Sequence, residues 1–368
     1  MDMSIRSGGE ILVDQLIVQG VTNAFCVPGE SYLAVLDALY LKRKDISLYV
    51  ARQDGGAAFM AEAYGKATGE VGICFVTRGP GATNASIGVH TAFQDSTPMI
   101  LFVGQVGGDM VDREAFQEID YRRMFGQMTK WVAQIDRVER IPEYVARAFQ
   151  VASSGRPGPV VLALPEDMLV EKVRIEDSER AKRVTHQPSM QSMQEVRSLL
   201  ELSERPLVIL GGGGWSESAR RQIEMFAEKN HLPVGCSFRR QDLFDNRHPN
   251  YIGDIGIGIN PKLASIVKES DLLLVVGARL GEMTTGGYAL IEAPTPKQKL
   301  IHIHPGIEEL GRVFQASVMI NSNIEEAAEA LNLLEPSESV STDWLNKANK
   351  TYIENIINTV SMKENKLS

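Results

Sequence analysis

The residues of this chain best suited to chemistry are an aspartate and a glycine turn that follow two apolar runs. Asp54 comes shortly after the run Ser47 to Val50 and is followed by Gly55 and Gly56. About 25 residues later, residues 77–84 read Thr-Arg-Gly-Pro-Gly-Ala-Thr-Asn. Glycines on both sides of a proline make a rigid turn whose backbone can approach a flat ring, and the helix that follows offers free N–H donors. Each feature also has a plainer interpretation, since Asp54 can N-cap the next helix and the turn can simply join a strand to a helix.

Strand-like and helix-like runs alternate through residues 1–172 and place both features at strand ends. A first helix is predicted from the capping-box pair Ser7 and Glu10 to near Gly20. The predicted strands are Asn23 to Val27, Ser47 to Val50, Gly72 to Thr77, Met99 to Val103 and Val160 to Ala163. The other predicted helices are Tyr32 to Leu41, Gly56 to Gly65, Ala82 to Phe93 and Pro142 to Ala152. Short apolar strands separated by helices predict an α/β fold with a doubly wound parallel sheet, whose ligands bind at the carboxyl ends of the strands.

The rest of the chain predicts a second module of the same class. Residues 173–190 are rich in charged residues and read as an exposed linker. Residues 191–335 form a second doubly wound unit, with buried strands at Pro206 to Leu210, Asp271 to Gly277 and Lys299 to Ile303. Residues 336–368 read as a C-terminal linker with one amphipathic helix that has no following domain to pack on.

Composition narrows the function classes. A chain of 368 residues with 43% hydrophobic and 23% charged residues is typical of a soluble globular protein with two domains. The net charge of -9 argues against binding to nucleic acid or an anionic membrane surface. No apolar run approaches the roughly 18 residues of a membrane span, and the first ten residues carry no apolar h-region. The three cysteines lie far apart without CxxC spacing, which fits a reducing cytoplasm and small-molecule chemistry.

Two other patterns carry little chemical signal. The four glycines at 211–214 do not give the G-x-G-x-x-G dinucleotide fingerprint, because position 216 is Ser216. His302 and His304 alternate along one strand, but a metal site would need further ligands that the sequence does not supply, so no metal site is predicted.

The stretch from Arg52 to Asn84 resembles the pyrimidine-binding half of thiamine-diphosphate enzymes, in particular the acetolactate synthase-like large-subunit group. Two positions depart from the pattern of that family. Asp54 stands where the family has glutamate, and Arg78 replaces the serine of its T-S-G-P-G motif. The resemblance covers about residues 4 to 335, which correspond to the first two of the family's three domains.

The resemblance implies roles around the aminopyrimidine ring of the cofactor. Asp54 would hydrogen-bond a ring nitrogen and so favour the tautomer that serves as the cofactor's own base, a catalytic role that suits a buried carboxyl. One methylene is missing from this side chain, so either the backbone comes closer or activation is weak. The residues implied to contact the cofactor are Pro28, Gly29, Glu30, Asp54, Gly79, Pro80, Gly81 and Asn84. Glu30 is either a plain loop carboxylate or a substitute for Asp54 in sharing the proton.

A second group of residues is implied for the thiazolium and substrate side. The segment Glu114 to Glu118 resembles the family's F-Q-E motif, in which Gln117 would face the thiazolium as a catalytic residue and Phe116 would line the substrate pocket. A core phenylalanine beside a surface glutamine is the alternative. Lys130 resembles a cationic position near the acceptor site, although it can equally be an exposed lysine.

The implied cofactors are thiamine diphosphate with Mg²⁺, and FAD is possible in the central domain, as in acetolactate synthase. In this family a third domain holds the diphosphate and Mg²⁺. No G-D-G signature of that domain is present, so we expect a truncated piece of a longer enzyme or a separate chain that carries this domain. The expected assembly is a homodimer or homotetramer with active sites at the subunit interface.

Two functional hypotheses follow. The first is thiamine-diphosphate-dependent decarboxylation of a 2-keto acid such as pyruvate, with carboligation of the product to an acceptor. The alternative is a non-catalytic binding or assembly subunit that retained the fold, which the aspartate at position 54 would allow.

Overall fold

The computed structural model describes residues 5–337 and 341–364. The chain divides into two compact units between Val184 and Thr185. This division falls inside the segment 173–190 that the sequence predicts as a linker.

The first unit is an α/β unit built on a parallel sheet. Its strands are β1 (Arg6–Ser7), β2 (Asn23–Cys26), β3 (Ser47–Val50), β4 (Gly72–Val76), β5 (Met99–Gln105), β6 (Trp131–Gln134), β7 (Pro159–Pro165) and β8 (Lys172–Val173). Its helices are α1 (Gly8–Val18), α2 (Leu33–Leu41), α3 (Asp54–Thr68), α4 (Gly79–Asp95), α5 (Tyr121–Phe125), α6 (Ile141–Ser153) and α7 (Glu166–Val170). Across the described residues, a six-stranded sheet has the order β3-β2-β4-β5-β7-β6, and β1 pairs antiparallel with β8.

The sequence explains these elements. The side chain of Ser7 accepts from the backbone N–H of Glu10, and the Glu10 carboxylate accepts from the Ser7 N–H at 2.7 Å, so the predicted capping box forms. Strands β4, β5 and β7 are buried along their whole length, because helices cover both faces of the sheet. The predicted doubly wound parallel sheet is confirmed.

Strand order decides where a ligand can bind in this unit. The chain runs from β2 outward to β3 and then returns past β2 to β4, so the order reverses between β2 and β4. The loops that follow β2, β3 and β4 therefore open at the same carboxyl edge, beside this reversal. In open α/β sheets ligands bind in the crevice at such a point.

The second unit repeats the architecture. Its strands are β9 (Pro206–Leu210), β10 (Val234–Ser237), β11 (Tyr251–Ile255), β12 (Leu272–Val276), β13 (Lys299–His304) and β14 (Val318–Asn321). Its helices are α8 (Met190–Glu201), α9 (Glu217–Lys229), α10 (Pro261–Glu269), α11 (Ile324–Asn332) and α12 (Thr342–Glu364). For the part of the chain that is described, all six strands are parallel in the order β11-β10-β9-β12-β13-β14, which confirms the second doubly wound sheet.

Most residues of the predicted linker 173–190 are exposed and none is buried. Within it, Ser178 and Gln15 exchange hydrogen bonds on the first unit, and the His186 N–H donates to Asn323 on the second. One prediction about the C-terminal segment needs correction. Helix α12 is not left without a packing surface. Trp344 is buried in the second unit and its Nε1 donates to the carbonyl of Pro206 at 2.9 Å. None of the described helices combines the length and the apolar content needed to cross a bilayer.

Candidate active site

Asp54 is the central residue of the carboxyl edge of the first sheet. It is the first residue of α3 and its exposed fraction is 8%. Its Oδ2 accepts a hydrogen bond from Asn84 Nδ2 at 3.3 Å. Its Oδ1 is buried, with no hydrogen-bond partner among the described residues. A buried carboxyl oxygen without a partner is rare in folded proteins and indicates a place for a ligand or a water molecule.

The helix cap leaves this carboxyl free. Gln53 is the N-cap of α3, and its side-chain oxygen accepts from the Gly56 N–H at 2.7 Å. The alternative in which Asp54 serves as the N-cap is therefore wrong. Because Gln53 satisfies the free N–H, Asp54 can turn toward the glycine turn.

The glycine turn lies directly against Asp54. Helix α4 begins at Gly79, three residues earlier than predicted, because Pro80 fits the first turn of a helix. A methyl group added at Gly81 would lie 3.2 Å from Asp54 Oδ1 and 3.0 Å from Thr77 Cγ2. Only glycine leaves the space beside the carboxyl open at this position.

The loop after β5 contacts the other end of the turn. The backbone N–H of Gly79 donates to the carbonyl oxygen of Gln117 at 3.0 Å. Gln117 has a left-handed backbone, with φ of 65°, and Phe116 is 69% exposed. The alternative of a core phenylalanine is therefore wrong, and the role of Phe116 in lining a substrate pocket stays a prediction.

The loop after β2 reaches the turn through Gly29. A methyl group added at Gly29 would lie 2.5 Å from Thr77 Cβ, and Ser31 Oγ is 3.0 Å from Thr77 Oγ1. Pro28 and Glu30 are exposed. The structure thus brings this loop to the start of the glycine turn, and it leaves the Glu30 side chain at the surface.

Lys130 lies away from this group. It precedes β6 at the amino end of that strand, which is the opposite edge of a parallel sheet from Asp54. Its Nζ donates to the carbonyl of Ser154 at 2.5 Å. Within this unit the structure does not bring Lys130 to the candidate site.

Arg78 is a residue of the site that sequence reasoning did not select. Its Nη1 donates to the carbonyl of Phe116 at 3.2 Å, and its Nη2 pairs with Glu166 Oε2 at 2.7 Å. Its Nε is buried without a partner among the described residues, as is Oη of Tyr121. Burial raises the pKa of Tyr121, and the nearby Arg78 opposes that rise. The departure from the family motif was the only available signal, because Glu166 lies 88 residues further along the chain.

Comparison with known protein families matches both units. A family model described as "Thiamine pyrophosphate enzyme, N-terminal TPP binding domain" matches residues 6–124, and one described as "Thiamine pyrophosphate enzyme, central domain" matches residues 193–331. The chain belongs to the thiamine pyrophosphate enzyme family. The resemblance expected from Asp54 and the glycine turn is confirmed.

Individual relatives in this family are similar along most of the chain. A probable acetolactate synthase large subunit from Methanocaldococcus jannaschii is 33% identical over 323 residues, covering 85% of this chain and 53% of that protein. The acetolactate synthase large subunit of Parasynechococcus marenigrum is 32% identical, covering 93% of this chain and 57% of that protein. The acetolactate synthase isozyme 1 large subunit of Escherichia coli is 32% identical, covering 89% of this chain and 58% of that protein. The chain thus spans a little over half the length of these relatives.

The glycine turn of the central domain does not fit a Rossmann-type pyrophosphate site. A methyl group at Gly212 would lie 2.1 Å from the carbonyl oxygen of Gly277, so the glycines let two strand ends pack closely. The N-terminus of α9 carries Glu217 in its first turn, and the hydroxyl of its N-cap, Ser216, is hydrogen-bonded to Glu325. Two carboxylates at a helix N-terminus disfavour a phosphate group there.

One group of side chains in the central domain has the spacing of metal ligands. Among the described residues these are Glu224, Glu228 and His248. His248 Nδ1 accepts from the Asn250 N–H at 3.1 Å, so in the neutral ring Nε2 carries the proton and donates to Glu228 Oε1 at 2.9 Å. The nitrogen that faces the carboxylates is therefore not a free ligand, and we assign no metal to this group.

Proposed function

We propose that this chain supplies the pyrimidine-binding and central domains of an acetolactate synthase-like enzyme. The enzyme would bind thiamine diphosphate, decarboxylate a 2-keto acid such as pyruvate and transfer the remaining unit to an acceptor. The single observation that supports this proposal best is the buried, unpartnered Oδ1 of Asp54 beside Gly81. A ring nitrogen that needs a hydrogen-bond partner could pair with this buried carboxyl oxygen.

The residues around Asp54 suit an aromatic ring that must be both held and oriented. Asn84 fixes one carboxyl oxygen, so the other is presented in a defined direction. The absence of a side chain at Gly81 leaves room for a flat group next to it. Helices α3 and α4 both begin at this point, so the first turns of both helices lie beside the Asp54 carboxyl. Asp54 would then hold a proton between its Oδ1 and a ring nitrogen.

Thiamine diphosphate, when bound, supplies an acidic carbon that can take up the carbonyl group of the keto acid. The chain contributes the groups that orient the ring and shape the cavity. Phe116 and Gln117 would border the substrate from the loop after β5. Mg²⁺ needs oxygen ligands and the anionic diphosphate needs N–H donors or cations, and we propose that both sets of groups lie outside these two domains. Any FAD bound to the central domain would need a site for its diphosphate other than the N-terminus of α9.

We also propose that two copies of the chain associate through the face that carries α3 and α4. Phe59 and Met60 on α3 and Ile87 on α4 are large apolar side chains that are exposed in the single chain. A methyl group at Gly88 would lie 3.1 Å from the backbone nitrogen of Phe59, so these side chains flank one helix crossing. Apolar groups clustered next to a candidate site support an interface beside it.

The cofactor assignment is tested by titrating thiamine diphosphate and Mg²⁺ against the chain by calorimetry. Asp54→Asn keeps the size of the side chain but cannot share a proton with the ring, so we expect affinity to fall at least about tenfold, which is about 1.4 kcal/mol. Asp343→Asn is the matched control, since Asp343 is an exposed aspartate in the first turn of α12. Equal affinity of the Asp54→Asn variant and the unchanged chain would contradict the proposal.

A further inference from the structure

The segment from Val106 to Asp120, here called the 106–120 loop, covers one end of the glycine turn in an unusual backbone conformation. It joins β5 to α5. Three of its residues that are not glycine have positive φ, with values of 60° at Asp112, 57° at Glu114 and 65° at Gln117. Such conformations persist only where surrounding contacts hold them.

Some of the hydrogen bonds that stabilise this loop conformation are formed within the loop itself. The Glu118 carboxylate accepts from the backbone N–H of Asp112 at 3.1 Å and from that of Ala115 at 3.3 Å. These bonds close the tip of the loop on itself. They do not attach the tip to the rest of the unit.

The two ends of the loop are attached by ordinary contacts. The Gly108 N–H donates to Asp167 Oδ2 at 2.9 Å, and Gln105 Nε2 donates to the carbonyl of Ile119 at 3.0 Å. The centre of the loop is attached at two adjacent carbonyls. Gln117 accepts from the Gly79 N–H, and Phe116 accepts from Arg78.

Of the two contacts at the centre of the loop, the one to the Phe116 carbonyl is made by the side chain of Arg78, whereas the other joins two backbone groups. It occupies the N-cap position of α4 without capping it, and a cation gains nothing from the positive end of a helix. Its side chain is nearly buried and reaches Glu166 at the start of α7 as well as the carbonyl of Phe116. A guanidinium donates in several fixed directions at once, which a lysine ammonium on a flexible stem does not.

We propose that Arg78, held by Glu166, is a positioning residue that fixes Phe116 and Gln117 against the glycine turn. The statement that these residues border a substrate rests on the proposed function. The positioning itself does not, because it concerns only contacts within this chain. Loss of the guanidinium should free the centre of the loop while the strands of the sheet remain as they are.

Amide hydrogen exchange of the full chain tests this inference. In Arg78→Ser we expect peptides from 110–120 to exchange at least about tenfold faster, with peptides from β4 and β5 unchanged. Glu166→Gln should give part of that increase, and the double variant should not exceed Arg78→Ser, because both changes remove one linkage. Arg78→Lys keeps the charge but should restore less than half of the lost protection.

Arg240→Ser is the matched control. Arg240 is equally buried in the second unit, where it pairs with Asp242 and donates to the carbonyl of Gly212. It should leave the 106–120 loop unchanged. Unchanged exchange in 110–120 for a folded Arg78→Ser variant would overturn the proposal, as would an equal rise in Arg240→Ser.

A spectroscopic measurement separates positioning from general loosening. Cys26, Cys74 and Cys236 are all buried, so a nitroxide attached to Phe116→Cys labels one site. Its spectrum should show restricted motion with Arg78 present and at least about threefold faster motion in Arg78→Ser. A mobile label in both backgrounds would overturn the inference. Neither measurement uses the cofactor, so their failure leaves the titration of Asp54 untouched, and the reverse also holds.

Discussion

A carboxyl oxygen that is buried without a partner costs roughly 1–3 kcal/mol, which is a sizeable share of the stability of a small domain. Asp54 carries this cost at the edge of the first sheet. Its neighbours do nothing to remove it, since Asn84 engages the other oxygen and Gly81 offers no side chain. A cost of this kind is typical of a group that is kept ready for a ligand.

The length of the Asp54 side chain gives a second prediction. Asp54→Glu adds the methylene that the resemblance described above implies for this position, which extends the carboxyl group toward a bound ring. We expect thiamine diphosphate with Mg²⁺ to bind about tenfold more tightly. Asp343→Glu on α12 is the control, and calorimetry is the measurement. No gain in affinity would mean that the aspartate already reaches the ring.

His302 gives a prediction for pH. It is buried in the second unit, where its Nε2 lies 2.9 Å from the carbonyl of Ala278, and burial lowers its pKa although this hydrogen bond opposes the shift. The unfolded chain, with an ordinary histidine pKa of about 6.5, then binds more protons than the folded chain as pH falls. Stability should be fully present above about pH 6.5 and should fall below it, by up to about 1.4 kcal/mol at one pH unit lower.

Urea unfolding at pH 7.5 and 5.5 measures this effect. His302→Gln keeps a donor without the titrating ring, so it should reduce the difference between the two pH values. His90→Gln replaces an exposed histidine and should leave the difference as it is. A pH dependence that survives unchanged in His302→Gln would show that other groups cause it.

At this scale the sequence predicts positions better than contacts. The proximity of Asp54 to Gly81 follows from two successive strands whose carboxyl ends meet at one edge. The cap at Gln53 could not be predicted, because glutamine is a weaker capping residue than aspartate and the two are adjacent. The pairing of Arg78 with Glu166 depends on tertiary structure across 88 residues.

At the scale of elements, the close packing of α3 on α4 holds the site together. Their facing sides carry glycine and alanine, and Ala58, Ala61, Ala82 and Ala85 are fully buried. Small side chains let the two helix axes approach, which brings the first residue of one helix against the first turn of the other. The distance between Asp54 and Gly81 is therefore set by residues further along both helices.

Gly88→Ala tests this dependence. The added methyl would lie 2.5 Å from Ala58 Cβ, so the helices must separate, and we expect a loss of about 1–3 kcal/mol in the free energy of unfolding. Gly56→Ala is the control, because its nearest neighbour would be 3.9 Å away and alanine favours a helix. Urea unfolding compares the two. Equal stability of both variants would show that the helices are not in close contact at Gly88.

Strands β1, β6, β8, β10, β11 and β14 were not predicted. Strands β1 and β8 have only two residues each, and β6, β11 and β14 lie at the sheet edges, where a continuous apolar run is not required. Strand β10 is an interior strand, but its four residues include Gly235 and Ser237, so they do not form an apolar run. The packing of α12 was missed because amphipathic spacing shows that a helix has an apolar face but not which surface receives it.

At the scale of the whole molecule, each of the two units has its own parallel sheet with an order reversal near its centre. In the first unit, the buried Oδ1 of Asp54 lies beside the reversal, and in the second unit the backbone of neighbouring residues fills the space beside Gly212 and Gly277. The same architecture therefore leaves space for a ligand in one unit and is closed by backbone packing in the other. Fold class alone could not have distinguished them.

Self-association is the prediction that belongs to this scale. Phe59→Glu combined with Ile87→Glu places charges in the proposed interface, so sedimentation velocity should show monomers where the unchanged chain forms dimers or larger species. Leu202→Glu with Ile307→Glu is the matched control, since both residues are exposed in the second unit. A chain that is monomeric before any change, or a control that dissociates equally, would contradict the interface.

Gln53 limits which substitutions the candidate site tolerates. Because the Gln53 side chain accepts from the Gly56 N–H, the neighbouring Asp54 does not have to cap helix α3. Replacing Gln53 with leucine would set the vacant N–H in competition with any bound heterocycle for the same carboxylate. Residue 53, which contacts no substrate, would then determine whether the Asp54 carboxylate is available to a ligand. A substitution at this position would weaken ligand binding even with every residue of the site unchanged.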